Sequence, residues 1–455
     1  MPTVTYPRLI LCLGAALLSL IGCRHGSESS RTWIQTTAAS FVSPYVSSGN
    51  FGGAIVVARD GETVFEQGYG RADYELNVPA DPKTRFRIAS VTKSFTAAAV
   101  LLLVDRRAVE LDAPLNRYIT EFPHGERVTV RTLLAHESGL PNYYLDLDDY
   151  PTLSRQHYDS PADVVALVDG MELRFVPGSR RAYNNLNYTA LAWLIEQVSG
   201  LSYQEFLRRD VLAPLGLDET GYSSDVTELI PNLAKGHEPI GADEFQRSRY
   251  FDPSISVGAG SMHSTARDLV RWGEKLIGGS LLEEASLEAA LEYAWGEQDV
   301  HGHRALIAQG WDNVGYSAHL IHIPDEKLTV AVLCNLNIAR VVGEIALGLV
   351  AIALSEEPQG MLLAPRPLPD DSLRSLAGRY QFGDDFYSPG GVLELVVRDG
   401  ALIDIGRNPE ASLIPLSDGG FLYRPVWARV QFLSDYDGTI TGLSFYDQFV
   451  AQKVE

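Results

Sequence analysis

The sequence predicts an α+β domain followed by a small all-β domain, and three observations predict it. Strand-like runs stand at both ends of the first part of the chain, at Gly53–Ala58 and Thr63–Tyr69 and again at Ala305–Ala308, Tyr316–Ile323 and Leu328–Cys334. The section between, about Ser90 to Gly279, is mostly helical in pattern with polar loops. Beyond the proline-dense stretch Pro358–Asp371, the pattern alternates like strands to Glu455. Sheet at both ends with helices between implies one sheet assembled from distant parts of the segment.

Taken in order, residues 1–23 read as a targeting segment. Arg8 is a thin positive region, Leu9–Ile21 is apolar, and Leu20-Ile21-Gly22-Cys23 follows. The apolar run is shorter than the roughly 20 residues a transmembrane helix needs. Its ending resembles a bacterial lipobox, which implies that Cys23 becomes a lipidated N-terminus anchored in the membrane of the cell envelope, facing the periplasm or exterior. Of the three cysteines, Cys12 would leave with the signal and Cys23 would be acylated, so Cys334 has no partner for an intramolecular disulfide.

A polar tether, Arg24–Arg31, leads to a helix-like stretch from about Trp33 to Val46. The two strands that follow flank the turn Arg59-Asp60-Gly61-Glu62, a hairpin signal. An apolar helix, Val341–Leu354, closes the first domain, expected over residues 24–357. Pro358, Pro365, Pro367 and Pro369 stiffen the next segment, which reads as a linker over residues 358–372. In the last 83 residues, 373–455, Asp399-Gly400 and Asp437-Gly438 supply hairpin turns for a barrel or sandwich.

Composition excludes some functions. The 455-residue chain carries a formal net charge of −21, which argues against a nucleic-acid partner, since no basic patch is present to displace counterions from phosphates. Only six of its 37 basic residues are lysines, so a lysine in an unusual place is informative.

Lys93 is in such a place. From Ser90 runs Val91-Thr92-Lys93-Ser94-Phe95 and then an apolar stretch to Val104, apolar nearly all round and expected to be buried. Ser90 stands at its N-terminus, where a serine is ordinarily a helix cap. A capping box would place Glu or Gln three residues on, yet the sequence has Lys93, a cation that opposes the helix dipole. Three residues apart on a helix, the two side chains share a face. Desolvation and the dipole both depress the lysine pKa, which suits it to take a proton from a serine hydroxyl. Tyr183-Asn184-Asn185 precedes a second apolar-periodic helix; it is either an ordinary turn or a further proton relay with an amide for substrate.

The string Phe86-Arg87-Ile88-Ala89-Ser90-Val91-Thr92-Lys93 resembles the active-site motif of the serine β-lactamase and penicillin-binding-protein superfamily, in particular its class C-like branch. Further segments resemble it in order: Leu133-Leu134-Ala135-His136-Glu137-Ser138-Gly139-Leu140-Pro141, Phe175-Val176-Pro177-Gly178 with Tyr183-Asn184-Asn185, Pro214-Leu215-Gly216-Leu217, and Gly258–Leu269. The resemblance spans about residues 50–355. It implies a β-lactamase/DD-peptidase-like domain, with an antiparallel sheet flanked by helices and a helical subdomain. It also implies an acyl-enzyme mechanism with Ser90 as nucleophile, Lys93 and Tyr183 as proton relay, and Asn185 on the substrate. His136 has no catalytic role in that pattern. A Ser–His–Asp triad is disfavoured because no Gly-x-Ser-x-Gly elbow occurs. The opening Leu376-Ala377-Gly378-Arg379-Tyr380 looks like the lipocalin-like modules appended to some relatives.

One motif breaks. The family carries Lys-Thr-Gly or His-x-Gly shortly before a Gly-aromatic-Ser, here Gly315-Tyr316-Ser317. The sequence upstream is Ile307-Ala308-Gln309-Gly310-Trp311-Asp312. Counting back puts Gln309 at the cation position; keeping Gly310 as the glycine puts Ala308 there. Neither supplies a charge for a substrate carboxylate. Gln309, Gly310 and Trp311 are then candidate substrate-binding residues, with a second oxyanion N–H near Trp311 or Asp312. The expected activity is a serine hydrolase for an ester, amide or D-amino-acid peptide, with β-lactams in doubt. No metal or organic cofactor is implied, since the Cys and His spacings form no zinc pattern.

Overall fold

The computed structural model describes residues 31–454, apart from 223–226, 241–243, 312–313, 361–367, 384, 387–389 and 407–409. The targeting segment with Cys23, the tether up to residue 30, Asp312, Pro365 and Pro367 lie outside the described residues. Among those described, no helix is long and apolar enough to cross a membrane.

Helix α1 covers residues 31–47. Strands β1 (Gly53–Arg59) and β2 (Glu62–Tyr69) form the expected hairpin, with Asp60 and Gly61 both at positive φ as its turn requires. Helices α2 (Thr92–Asp105), α3 (Asn185–Ser199), α4 (Ala266–Ile277) and α5 (Glu284–Ala294) follow with shorter turns between them. Strands β3 (Gly296–Val300), β4 (His303–Trp311), β5 (Ser317–Ile323) and β6 (Leu328–Cys334) then return to the sheet. The six strands are ordered β3-β4-β5-β6-β1-β2, and β6 pairs antiparallel with β1 from Gly53↔Cys334 to Arg59↔Leu328. The sheet thus joins strands whose paired residues lie about 270 to 280 positions apart, which is why its strands cluster at both ends of the segment.

Both faces of this sheet are covered. Ala54, Val56, Leu306, Ala308, Ala318, Leu320, Ala331 and Leu333 face the core shared with α2 and the helical subdomain. The alternate residues Ile55, Val57, Ile307, Ile321, Val330 and Val332 face α1 and helix α6 (Val341–Ala353). Strands buried on both sides read as continuous apolar runs, and β6 is buried at every residue. Fully burying each large aliphatic side chain is worth about 1.5–3 kcal/mol, so this sandwich of layers dominates stability.

The chain after Pro369 forms helix α7 (Asp370–Leu376), which begins inside the segment expected to be linker. Asp370 and Asp371 in its first turn complement the helix dipole and let it start directly after the proline. Strands β7 (Gly378–Phe382), β8 (Val392–Arg398), β9 (Ala401–Asp404), β10 (Ala411–Pro415), β11 (Phe421–Tyr423), β12 (Ala428–Ser434), β13 (Ile440–Phe445) and β14 (Phe449–Lys453) close into a barrel in sequence order. Closure removes exposed strand edges. The barrel has its own core, yet Leu416, Leu422 and Trp427 pack into the layer of α1 and α6. Buried Arg424 donates to Asn50 Oδ1 (2.8 Å) and to the Gly49 carbonyl (2.8 Å). Barrel and main domain therefore share packing.

Candidate active site

Ser90 lies on the short turn Ala89–Val91, directly before α2, and neither that turn nor α2 has a side-chain cap. The hydroxyl is therefore not spent on the helix N-terminus, which removes the ordinary explanation for a serine here. Ala89 sits at φ 45°, a left-handed conformation that costs a residue with a Cβ about 1–2 kcal/mol and marks local strain beside Ser90. Ser90 Oγ is 2.7 Å from Tyr183 Oη and accepts a hydrogen bond from Lys93 Nζ at 3.2 Å.

Lys93 is buried in the first turn of α2, where eleven of the fourteen residues are buried. Its amine also donates to Asn185 Oδ1 (2.9 Å) and to the Ala259 carbonyl (2.7 Å), so all three ammonium donors have acceptors. Burial pushes its pKa below the usual lysine range, with the nearby Tyr183 phenol opposing that shift. Lysine nitrogen lies 4.8 Å from the Tyr183 ring centre and 5.6 Å from that of Tyr188.

The segments singled out in the sequence hold this cluster in place. Asn184 caps α3 by accepting from Leu186 N and donates to the carbonyls of Leu140 (2.9 Å) and Pro141 (3.0 Å). His136 Nδ1 accepts from Asn184 N at 3.1 Å, and its ring packs 4.5 Å from that of Tyr183. Burial lowers the His136 pKa to about 3, helped by Lys93 and Arg181, so the ring stays neutral and able to accept. Gly139, at φ 72°, lies where a Cβ would fall 2.2 Å from the Phe175 carbonyl, so the two loops can meet only at a glycine. The Gly258–Leu269 segment supplies the Ala259 carbonyl that Lys93 needs.

The structure also bears on the broken motif. A Cβ on Gly310 would stand 2.3 Å from Ser90 N, so this glycine lets β4 lie directly on the Ser90 turn. That contact favours the alignment that keeps Gly310 as the motif glycine, in which Ala308, buried two residues earlier on the same strand face, aligns with the family cation. Gln309, opposite His319, projects to the other face with Ile307 and Trp311. β3 pairs with β4 only as far as Ile307, so among the described residues the edge of β4 from Ala308 to Trp311 is paired on one side alone.

Ser90, Lys93, Tyr183, Gln309 and Trp311 line one cleft of about 870 Å³, within the range of small-molecule sites. Its walls include residues that no sequence signal placed there: Tyr293–Gln298, Arg340 and Glu344, and from the barrel Trp427, Arg429, Tyr446 and Asp447. Ala259 lies in the Gly258–Leu269 segment, but its part as a backbone acceptor has no side-chain signature.

An antiparallel sheet laid against a helical subdomain, with serine, lysine and tyrosine converging where they meet, is the architecture of the active-site serine β-lactamases and penicillin-binding proteins. Residues 38–354 match the Beta-lactamase family model, and the chain belongs to that family. It is 27% identical over 280 residues to the putative penicillin-binding protein PbpX of Bacillus subtilis (strain 168), covering 61% of this chain and 66% of that relative. Another penicillin-binding protein of that strain is 24% identical over 429 residues, covering 87% and 93%. Among solved structures, the octameric penicillin-binding protein homologue from Pyrococcus abyssi aligns with a TM-score of 0.62 at 23% identity, covering 92% of this chain and 99% of that one. The D-amino acid amidase from Ochrobactrum anthropi SV3 aligns with a TM-score of 0.60 at 23% identity over 72% and 98%.

Proposed function

We propose that the protein is a serine acyl hydrolase that cleaves an ester or amide through an acyl-enzyme, with D-amino-acid amides and peptides as the substrate class to examine first. The observation that carries it is the convergence of Tyr183 Oη and Lys93 Nζ on Ser90 Oγ. Lys93 in its neutral form, favoured by burial, takes the serine proton directly or through Tyr183 as Ser90 Oγ attacks the carbonyl. The Ser90 and Trp311 N–H groups receive the developing oxyanion. Tyr183 returns the proton to the leaving group, and water admitted to the same place then releases the acyl chain with the relay acting as base.

Ala308 in place of a cation weakens the attraction for a substrate carboxylate, so neutral esters and amides are favoured over β-lactams. Solved D-amino acid amidase among the fold neighbours supports the choice of D-amides. We further propose placement in the class C-like branch, a lipocalin-like kinship for the barrel, and lipidation at Cys23 with attachment to the bacterial cell envelope. Cys23→Ser would then release the protein from membranes, and unchanged membrane association would refute the anchor.

The activity is tested by comparing wild type with Ser90→Ala on D-phenylalanine amide, a p-nitrophenyl ester and a chromogenic cephalosporin. Ser90-dependent cleavage of the amide or ester at a higher kcat/KM than the cephalosporin supports the proposal. A preference for the cephalosporin makes the protein a β-lactamase instead, and no Ser90-dependent turnover makes it a non-catalytic binding protein.

A further inference from the structure

The barrel turns that reach the cleft are held in backbone conformations their side chains disfavour. Trp427 has φ 53°, and the consecutive residues Tyr446 and Asp447 have φ 58° and 57°. Aspartate tolerates the left-handed region, whereas bulky aromatic residues are poor there. Tyr446 and Asp447 open the three-residue connection between β13 and β14, where glycine or asparagine fits a positive φ without strain. Strain of this kind persists where surrounding structure over-determines it, and it gathers at functional sites.

Both turns line the cleft that holds Ser90. They are braced before any substrate arrives. The Arg340 guanidinium lies 3.9 Å over the Tyr446 ring, Tyr446 Oη donates to the Val426 carbonyl, and Trp427 Nε1 donates to Glu344 Oε2 at 2.8 Å. Arg429 in this wall pairs with Asp418 at 2.5 Å, and Glu344 also accepts from the neutral Tyr45 hydroxyl at 2.6 Å. Between the wall and Ser90 runs the half-paired edge of β4, residues 308–311, with Gln309 and Trp311 on the barrel-facing side.

We infer that the Tyr446–Asp447 turn, braced by Arg340 and the Val426 carbonyl, is a specificity-determining subsite for the acyl portion of an extended, peptide-like substrate with neutral apolar side chains. The inference rests on the proposal that Ser90 is acylated. A peptide is the chemistry that fits because an unpaired strand edge offers backbone donors and acceptors in the register of another extended chain. Side chains of such a chain alternate, and one set falls on the face shared by Gln309, Trp311 and the barrel turn. The leaving group must stay within reach of Tyr183, which leaves the β4 edge and the barrel wall to the acyl side.

The test uses p-nitrophenyl acetate beside p-nitrophenyl esters of N-acetylated mono-, di- and tripeptides of leucine and phenylalanine. Wild type, Ser90→Ala, Tyr446→Gly and Tyr446→Asn are compared, with melting temperatures measured for each. Glycine and asparagine both suit a left-handed backbone, so the side chain is removed without adding strain. The expected result is a kcat/KM that rises with peptide length in wild type. Both Tyr446 variants should lose about tenfold of that rise through KM, with acetate turnover held within about twofold, as for lost ground-state binding. The inference is overturned if wild type shows no length dependence, if the variants keep it in full, or if acetate turnover falls equally. Absence of Ser90-dependent acetate turnover in wild type is a separate outcome: it refutes the acylation proposal itself, and the subsite with it.

Discussion

Tyr183→Phe removes one oxygen atom from the proposed relay and leaves the rest of the site standing. That oxygen is 2.7 Å from Ser90 Oγ, whereas the ring that remains keeps its packing on His136 (4.5 Å) and its place beneath Lys93 (4.8 Å). Tyr183 is 53% exposed, so no buried polar partner is orphaned and stability should change by no more than about 0.5 kcal/mol. A positioned proton donor and acceptor contributes about 10²–10⁴ in rate, or about 3–5 kcal/mol of transition-state free energy. The loss should depend on the leaving group. An amide nitrogen must be protonated as it departs, whereas a p-nitrophenolate need not be, so amide hydrolysis should fall by about 10²–10⁴ and the activated ester by about tenfold or less. The assay is kcat/KM for an amide and a p-nitrophenyl ester of the same acyl group, with a thermal melt of each protein. Equal losses on both substrates, or amide turnover within about fivefold of wild type, would refute Tyr183 as the leaving-group acid.

Other consequences can be measured alongside. Because burial lowers the Lys93 pKa, and the neutral amine is the base, kcat/KM should rise with pH to a plateau whose midpoint lies below the ordinary lysine value of about 10.4; a midpoint at or above that value in the wild type would contradict this. The same shift makes the unfolded chain bind the proton more tightly, so stability should rise between the lowered folded pKa and about pH 10.4, and Lys93→Met should abolish that rise. Gly310→Ala places a Cβ 2.3 Å from Ser90 N, which should destabilise by about 1–3 kcal/mol and reduce kcat about 10²-fold by shifting the nucleophile; wild-type activity would refute the contact. Ala308→Lys restores a cation at the motif position. It should raise the preference for a carboxylate-bearing β-lactam over a neutral ester by about tenfold or more, the worth of a hydrogen bond to a charged group, and an unchanged ratio in a folded variant would count against the position.

What the sequence showed and what it hid divide along physical lines. Ser90, Lys93, Tyr183 and Asn185 were legible because a lysine in the first turn of an apolar helix conflicts with local preference, and ordered family segments surround it. The sheet was legible because strands buried on both faces are continuous apolar runs. Between Ala308 and Gln309 the sequence could not decide: which residue aligns with the family cation depends on where Gly310 meets the Ser90 turn, a contact across about 220 positions. Tyr446, Trp427 and Arg340 were invisible for the same reason. They belong to separate elements with no shared periodicity, and only the packing of the barrel on α1 and α6 brings them to the cleft. Helix α7 was hidden by the prolines before it, although Asp370 and Asp371 are an acceptable first turn. Strain at Ala89, too, leaves no trace in a residue so ordinary.

The central claim is that Ser90 is a nucleophile activated by Lys93, and covalent capture tests it most directly. Purified protein treated with a fluorophosphonate should gain the mass of a single adduct, mapped by peptide sequencing to Ser90. Ser90→Ala should take none, and Lys93→Met should react at least about 10²-fold more slowly, as expected for loss of the base. Failure to label under conditions that modify a control serine hydrolase, or labelling that survives Ser90→Ala, would contradict the account.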